Sequence, residues 1–235
     1  MSMERPPLRI VISDPRAGDK VVKVKVKGVE DIEYRDSMRK SKEKDRSELP
    51  IARVSRKLYE ELSLGEIGVM TLRFITEDGK KANVPFKVEV SDDLGDYEVQ
   101  VSMELLGEVA GNLEAEAEAF RAKAWQIAVP EETAIRLAGL EIGDVFDGSI
   151  IGFEGVKLKI RGGSDATGIP MHPGVPGALK KAVLLSGPPG FHPREKGERR
   201  RKLVRGRVVP DPRGERRKTA LAQLNVVIYY GEGGK

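Results

Sequence analysis

At 235 residues with 39% hydrophobic side chains, the chain is long enough for one large domain or two modest ones, each burying its own core. No stretch approaches an uninterrupted apolar span of about 18 residues, and Glu4, Arg5 and two prolines break up the first nine positions, so the protein reads as soluble and cytoplasmic, with no membrane association. Zero cysteines exclude disulfides, thiolate nucleophiles and sulfur-ligated zinc, and the formal net charge of +4 excludes no partner until it is located along the chain.

In chain order, Leu8 to Ser13 predicts a first strand, ended by Asp14-Pro15 and Gly18. Val21 to Lys27 (VVKVKVK) alternates strictly, with valines on one face and a solvated lysine face on the other, and is expected to close a hairpin with the first strand. From Gly28 to Lys44 the chain is polar and charge-dense, which predicts a linker or mobile loop. Beyond it, Val54-Ser55, Val101-Ser102 and Val129-Pro130 each open a segment with apolar or small residues four and eight positions after the valine. They are Leu58 and Leu62, Leu105 and Val109, and Thr133 and Leu137. A strand entering and a capped helical turn leaving each opening, with Ser55 and Ser102 as N-caps, suggest pseudo-symmetric small β-barrels. Val11-Ile12-Ser13-Asp14 and Glu89-Val90-Ser91-Asp92 echo one another as strand ends entering Asp-containing turns. Leu113 to Ala124 favours a helix on propensity while its alternation permits a strand.

After Leu140, Ile142 to Gly148 predicts a strand pair joined by Gly and Asp turns, and Val156 to Arg161 (VKLKIR) alternates again. Ala182–Leu185, Val204–Val209 and Leu224–Tyr230 supply the last strands. Between Arg194 and Lys218 stand twelve Lys or Arg against four acids, a local charge of +8. Nine of the twelve are arginines, whose planar fork suits bidentate phosphate contacts and stacking on bases, so this segment is expected to bind structured RNA.

Two motifs invite a chemical reading and lack its physics. Ser186-Gly187-Pro188-Pro189-Gly190 begins like a phosphate-binding loop, but Phe191-His192-Pro193 stands where a Gly-Lys-Ser/Thr is required. His172 and His192 sit beside prolines without a nucleophile or oxyanion site at recognisable spacing. No catalytic residue, metal, cofactor or small-molecule substrate is therefore expected. Phe191, Tyr229 and Tyr230 lie near the basic segment, as core residues or as one stacking contact.

The stretch Gly162-Gly163-Ser164-Asp165-Ala166-Thr167-Gly168-Ile169-Pro170-Met171 predicts a tight loop after a strand, either a structural turn or a receptor for a phosphate. This stretch resembles the signature of the archaeal and eukaryotic family of small ribosomal subunit protein six, with Gly162, Gly163, Asp165, Gly168, Pro170 and Met171 as its signature-loop positions. Val183 to Pro193, Lys196 to Lys202, Val204-Arg205-Gly206 and Gln223-Leu224-Asn225 continue the resemblance in order, and Ile10 to Val26 resembles the family's start. The resemblance implies a non-enzymatic constituent of the small subunit, whose partners are its rRNA and neighbouring ribosomal proteins. Residues 29–128 look like an insertion relative to the short archaeal members.

The expectation is thus a mainly β protein of β-rich α+β character: a small barrel-like core from residues 1–28 and 129–235, and an inserted β-rich domain, 29–128, with short helices. Arg194, Lys196, Arg199, Arg200, Arg201, Lys202, Arg205 and Arg207 would lie against rRNA, flanked by Lys157, Lys159, Arg161, Lys180 and Lys181. A free-standing RNA-binding regulator or assembly factor is the competing reading.

Overall fold

The computed structural model describes residues 7–40, 45–75, 81–214 and 220–231. In chain order the elements are β1 (Leu8–Ser13), β2 (Val21–Val29), β3 (Ile51–Val54), α1 (Arg56–Glu61), β4 (Val69–Ile75), β5 (Lys81–Val90), β6 (Glu98–Ser102), α2 (Met103–Ala110) and β7 (Glu114–Arg121). They continue with β8 (Ala124–Val129), α3 (Glu131–Leu137), β9 (Val145–Asp147), β10 (Lys157–Asp165), β11 (Lys180–Leu185), β12 (Arg200–Arg205) and β13 (Leu221–Ile228). The protein is mainly β, and among the described residues no helix is long and apolar enough to cross a membrane.

The chain divides into two compact units, residues 14–127 and residues 1–13 with 128–235. The central unit is a closed six-stranded barrel in the order β2-β6-β3-β5-β4-β7. Its pairing has an internal two-fold logic. β2 runs parallel to β6 as β5 does to β3, and β7 pairs antiparallel with β2 as β4 does with β5. The chain thus repeats one half, β2-β3-α1-β4, as β5-β6-α2-β7, and the Val54-Ser55 and Val101-Ser102 openings occupy equivalent places. Ser55 caps α1 by accepting from the Leu58 amide at 3.4 Å, whereas the Ser102 side chain makes no cap bond to α2. The third opening, Val129-Pro130, leads into α3 in the other unit, where Glu131 and Glu132 in the first turn complement the helix dipole.

Alternation fills the barrel. Val24 and Val26 of β2 point inward with Leu72, Phe74, Phe86, Val99, Val101 and Ala119, and Leu58, Leu105 and Leu106 seal it from the helices. The outward lysines of β2 stand opposite glutamates of β7 in register, Lys23 with Glu118, Lys25 with Glu116 and Lys27 with Glu114. Within Leu113 to Ala124, Glu114–Arg121 resolves as strand: inward Ala117 and Ala119 and outward glutamates use the period of two, and pairing on both edges overrides helix propensity. Phe86 is fully buried, and Phe86→Ala should cost about 3–5 kcal/mol, read as a lower urea midpoint and reduced amide protection across the barrel strands.

Three expectations are corrected here. β1 and β2 form no hairpin: β1 runs parallel to β13, Ile10 opposite Leu224, while the valine face of β2 finds its apolar partners inside the barrel. The closed barrel accordingly lies in the central unit and takes β2 with it, not in a core built from the chain's two ends. The stretch expected to be a linker contributes to a core, since Ile32 and Met38 are buried and Tyr34 packs against the barrel cluster; residues 41–44 of it lie outside the described residues.

The other unit carries the five-stranded sheet of order β8-β1-β13-β10-β9, in which β8 spans the division of the chain at residue 128, and a separate two-stranded ribbon, β11-β12. Ile10, Ile12, Leu158, Ile160, Leu224 and Val226 form buried rows on its strands. Only the short β9 forms where a strand pair was expected between Ile142 and Gly148. β10 continues through Gly162 and Gly163, with a register shift between Ile160 and Gly162, so the tight turn begins after Asp165.

Candidate nucleic-acid interface

Charge divides with the units. Residues 14–127 hold 20 basic and 24 acidic side chains; the remainder hold 21 and 13, so the sheet-and-ribbon unit carries the cationic excess.

The ribbon displays that excess. β11 and β12 pair antiparallel with Lys180 opposite Arg205, Ala182 opposite Leu203 and Leu184 opposite Arg201. Its inner face packs Leu185 and Val204 with Val175 and Phe191 into a small core, so Phe191 is a core residue. Arg194, Lys196, Arg199, Arg201 and Lys181 are exposed, Lys202 is half-buried, and none of the six side chains has a carboxylate partner among the described residues. Arg200 is exposed and bonds Glu198 at 2.9 Å. Glu198 also accepts from the Arg194 amide at 2.7 Å, and that bond, with the nearby Arg200 charge, holds its carboxyl below the usual range. The loop that carries the cations is thereby folded back on its own acid. On the sheet, Lys157 and Arg161 are exposed on β10, and Lys159 lies 5.9 Å from the Tyr229 ring centroid. Arg216, Arg217 and Lys218 lie outside the described residues.

Three predicted contacts are placed elsewhere. Arg205 is a correction: its side chain is 2% exposed and sits 3.8 Å from the Asp165 carboxylate, so it cannot reach a phosphate. Lys180 is ion-paired with the same carboxylate and is 21% exposed. Arg207 is ion-paired with Glu141 at 2.7 Å. β12 therefore ends in structural cations, and the free ones cluster at its start.

The signature loop is the site that residue types alone left ambiguous. The Asp165 carboxylate has no solvent exposure. It accepts from the Thr167 and Ile169 amides, each at 2.9 Å, and from the Thr167 hydroxyl at 2.7 Å. The Gly168 amide donates to the Asp165 carbonyl, and the Ala166 amide to that of Ala220. Every amide from 166 to 169 is thus occupied, and the anion the loop holds is its own aspartate, which rules out a phosphate receptor. Gly163 is required by contact, since a Cβ there would lie 2.5 Å from the Gln223 carbonyl and 3.1 Å from the Met171 sulfur. Gly162 gives the bulge, and Pro170 and Met171 carry the chain on to Arg205, with which Met171 forms a β-bridge.

Burial raises the pKa of Asp165, but hydrogen bonds from Lys180, Thr167 and Ile169 outweigh it and hold the carboxyl below its ordinary value. A group depressed on folding contributes stability above its unfolded pKa and loses it as pH falls through the folded value. Acid titration should therefore destabilise the sheet-and-ribbon unit below the ordinary carboxylate range, with a shallower pH dependence in Asp165→Asn, measured by urea midpoints at successive pH.

The His172 Nδ1 accepts from the Gly174 amide at 3.1 Å, and His192 is exposed. No cluster of His, Asp or Glu suited to a metal occurs among the described residues.

Comparison with known proteins agrees with the signature. The profile of the family described as ribosomal protein S6e matches residues 117–233. A protein of Aeropyrum pernix named small ribosomal subunit protein eS6 is 76% identical over 232 residues, 99% of each chain. Proteins of the same name from Hyperthermus butylicus and Saccharolobus solfataricus are 49% and 41% identical, covering 96% and 95% of this chain and 98% and 99% of their own. These alignments run through residues 29–128, so that stretch is shared with long relatives. With this identity sustained from end to end, the chain belongs to the ribosomal protein S6e family.

Proposed function

We propose that this protein is a structural, non-catalytic constituent of the small ribosomal subunit, working on the ribosome and hence in the cytoplasm. It holds small-subunit rRNA through Arg194, Lys196, Arg199, Arg200, Arg201, Lys202 and Lys181, with Lys157, Lys159 and Arg161 on β10 as a flank. Neighbouring ribosomal proteins are its other partners. Family membership carries the reading, because relatives across nearly the whole length bear the small-subunit name. The interface assignment is supported by mostly exposed cations, with Arg199, Arg201, Lys202 and Lys181 lacking a carboxylate partner among the described residues, on a ribbon that packs one face over its own small core. Such cations displace condensed counterions from the phosphate backbone, so affinity falls steeply with salt.

Sedimentation tests this. The protein should travel with the small subunit at moderate salt and leave it only at high salt. Migration free of ribosomes at every salt concentration, with RNA binding retained, would instead identify a free-standing regulator or assembly factor.

A further inference from the structure

The Asp165 carboxylate reaches three elements at once. It closes the turn after β10 through Thr167 and Ile169, it is ion-paired with Lys180 at the start of β11, and it faces Arg205 at the end of β12. Lys180 and Arg205 stand directly opposite one another in the ribbon's register, so one carboxylate grips both strands at their shared base. The ribbon needs such a grip, because in β-sheet terms it is a sheet of two strands, separate from the five-stranded one. Its small core and the bonds between Arg205 and the 170–172 segment hold one face and one edge, but they do not fix β11 to the end of β10. The free cations Arg199, Arg201 and Lys202 lie at or near the opposite end of β12, where a small rotation about the base becomes a large displacement.

We infer that Asp165 is a positioning residue for RNA binding: by clamping Lys180 and Arg205 it sets the direction in which the ribbon presents its arginines relative to the cations of β10. The inference rests on the rRNA reading above. It gives the family signature a role one step removed from the nucleic acid. An unpaired carboxylate buried in the fold would be expensive, whereas one ion-paired with Lys180, within ion-pair range of Arg205 and bonded by two amides makes a defined joint.

The absence of native cysteine permits the test directly. Spin labels at Lys157→Cys on β10 and Leu184→Cys on β11 report the ribbon's orientation by pulsed electron resonance, and unlabelled proteins report affinity for small-subunit rRNA. The parent should give one narrow distance distribution. Asp165→Asn should broaden it and weaken rRNA binding by roughly tenfold, the equivalent of removing one or two phosphate-bound cations. A carboxylate that merely stabilises would lower the melting temperature and leave the distribution narrow. Should Asp165→Asn fail to fold, Lys180→Met removes only the β11 anchor and should still broaden the distribution. A narrow distribution and parental affinity in the folded variants would overturn the inference. If Arg199, Arg200 and Arg201 together prove dispensable for binding, the rRNA reading falls, and the distance measurement still decides whether the carboxylate aims the ribbon.

Discussion

Replacing Arg199, Arg200 and Arg201 together by alanine should weaken binding to small-subunit rRNA by roughly a hundredfold, at about 1 kcal/mol for each solvent-exposed ionic contact to phosphate that the substitution removes. It should also flatten the plot of log affinity against log salt by about two to three units, because each phosphate neutralised by protein releases most of one counterion. Titration at several ionic strengths measures both. The melting temperature should barely change, since the three side chains are exposed and the Arg200–Glu198 pair, more than half exposed on the arginine side, contributes little. Parental affinity and slope in a folded triple variant would remove these residues from the interface.

The other large effect is on folding. Gly206→Ala should destabilise the sheet-and-ribbon unit by about 4 kcal/mol, at the severe end of point substitutions. A Cβ at Gly206 would lie 1.8 Å from the Gly177 carbonyl oxygen and 2.5 Å from its carbon, so two backbone segments, not flexible side chains, would have to separate. Those segments are bonded on both sides of the close approach, the Gly206 amide to the Leu179 carbonyl and the Val208 amide to that of Gly177. Hydrogen exchange should show protection falling in β11 and β12 and kept in the barrel. An equal fall in both units would show that they unfold as one.

What could be read from residues alone follows the range of the forces involved. The alternation in VVKVKVK made β2 a strand with a wet face, because a period of two is local. Its partners were not local: β1 is completed by β13, more than 200 positions later, and no short-range signal separates that from a hairpin. Leu113 to Ala124 stayed ambiguous because propensity and period disagreed, and only the two neighbouring strands decided it. The repeated Val-Ser openings were informative since the repeat encodes the barrel's two halves.

At the proposed interface, counting charge singled out one segment but could not sort its members by burial. Arg205 and Arg201 are the same residue type, and what separates them is burial and the Asp165 carboxylate that Arg205 faces. A hint existed in sequence, because Val204-Arg205-Gly206 places an arginine beside a valine and a glycine while Arg199 to Lys202 are consecutive cations. Asp165 could be seen to bond its own turn, yet its cations come from 15 and 40 residues downstream, and that depends on ribbon register.

The rungs between β2 and β7 bear on how the protein first meets a polyanion. Because Lys23, Lys25 and Lys27 each face a glutamate, the barrel has no surplus of positive side chains to spend, and its unit totals 20 basic against 24 acidic residues. A phosphate-lined surface therefore pulls on one part of the chain and pushes on the other. Both effects act during diffusion, ahead of any direct touch, and fade as added electrolyte shortens their reach.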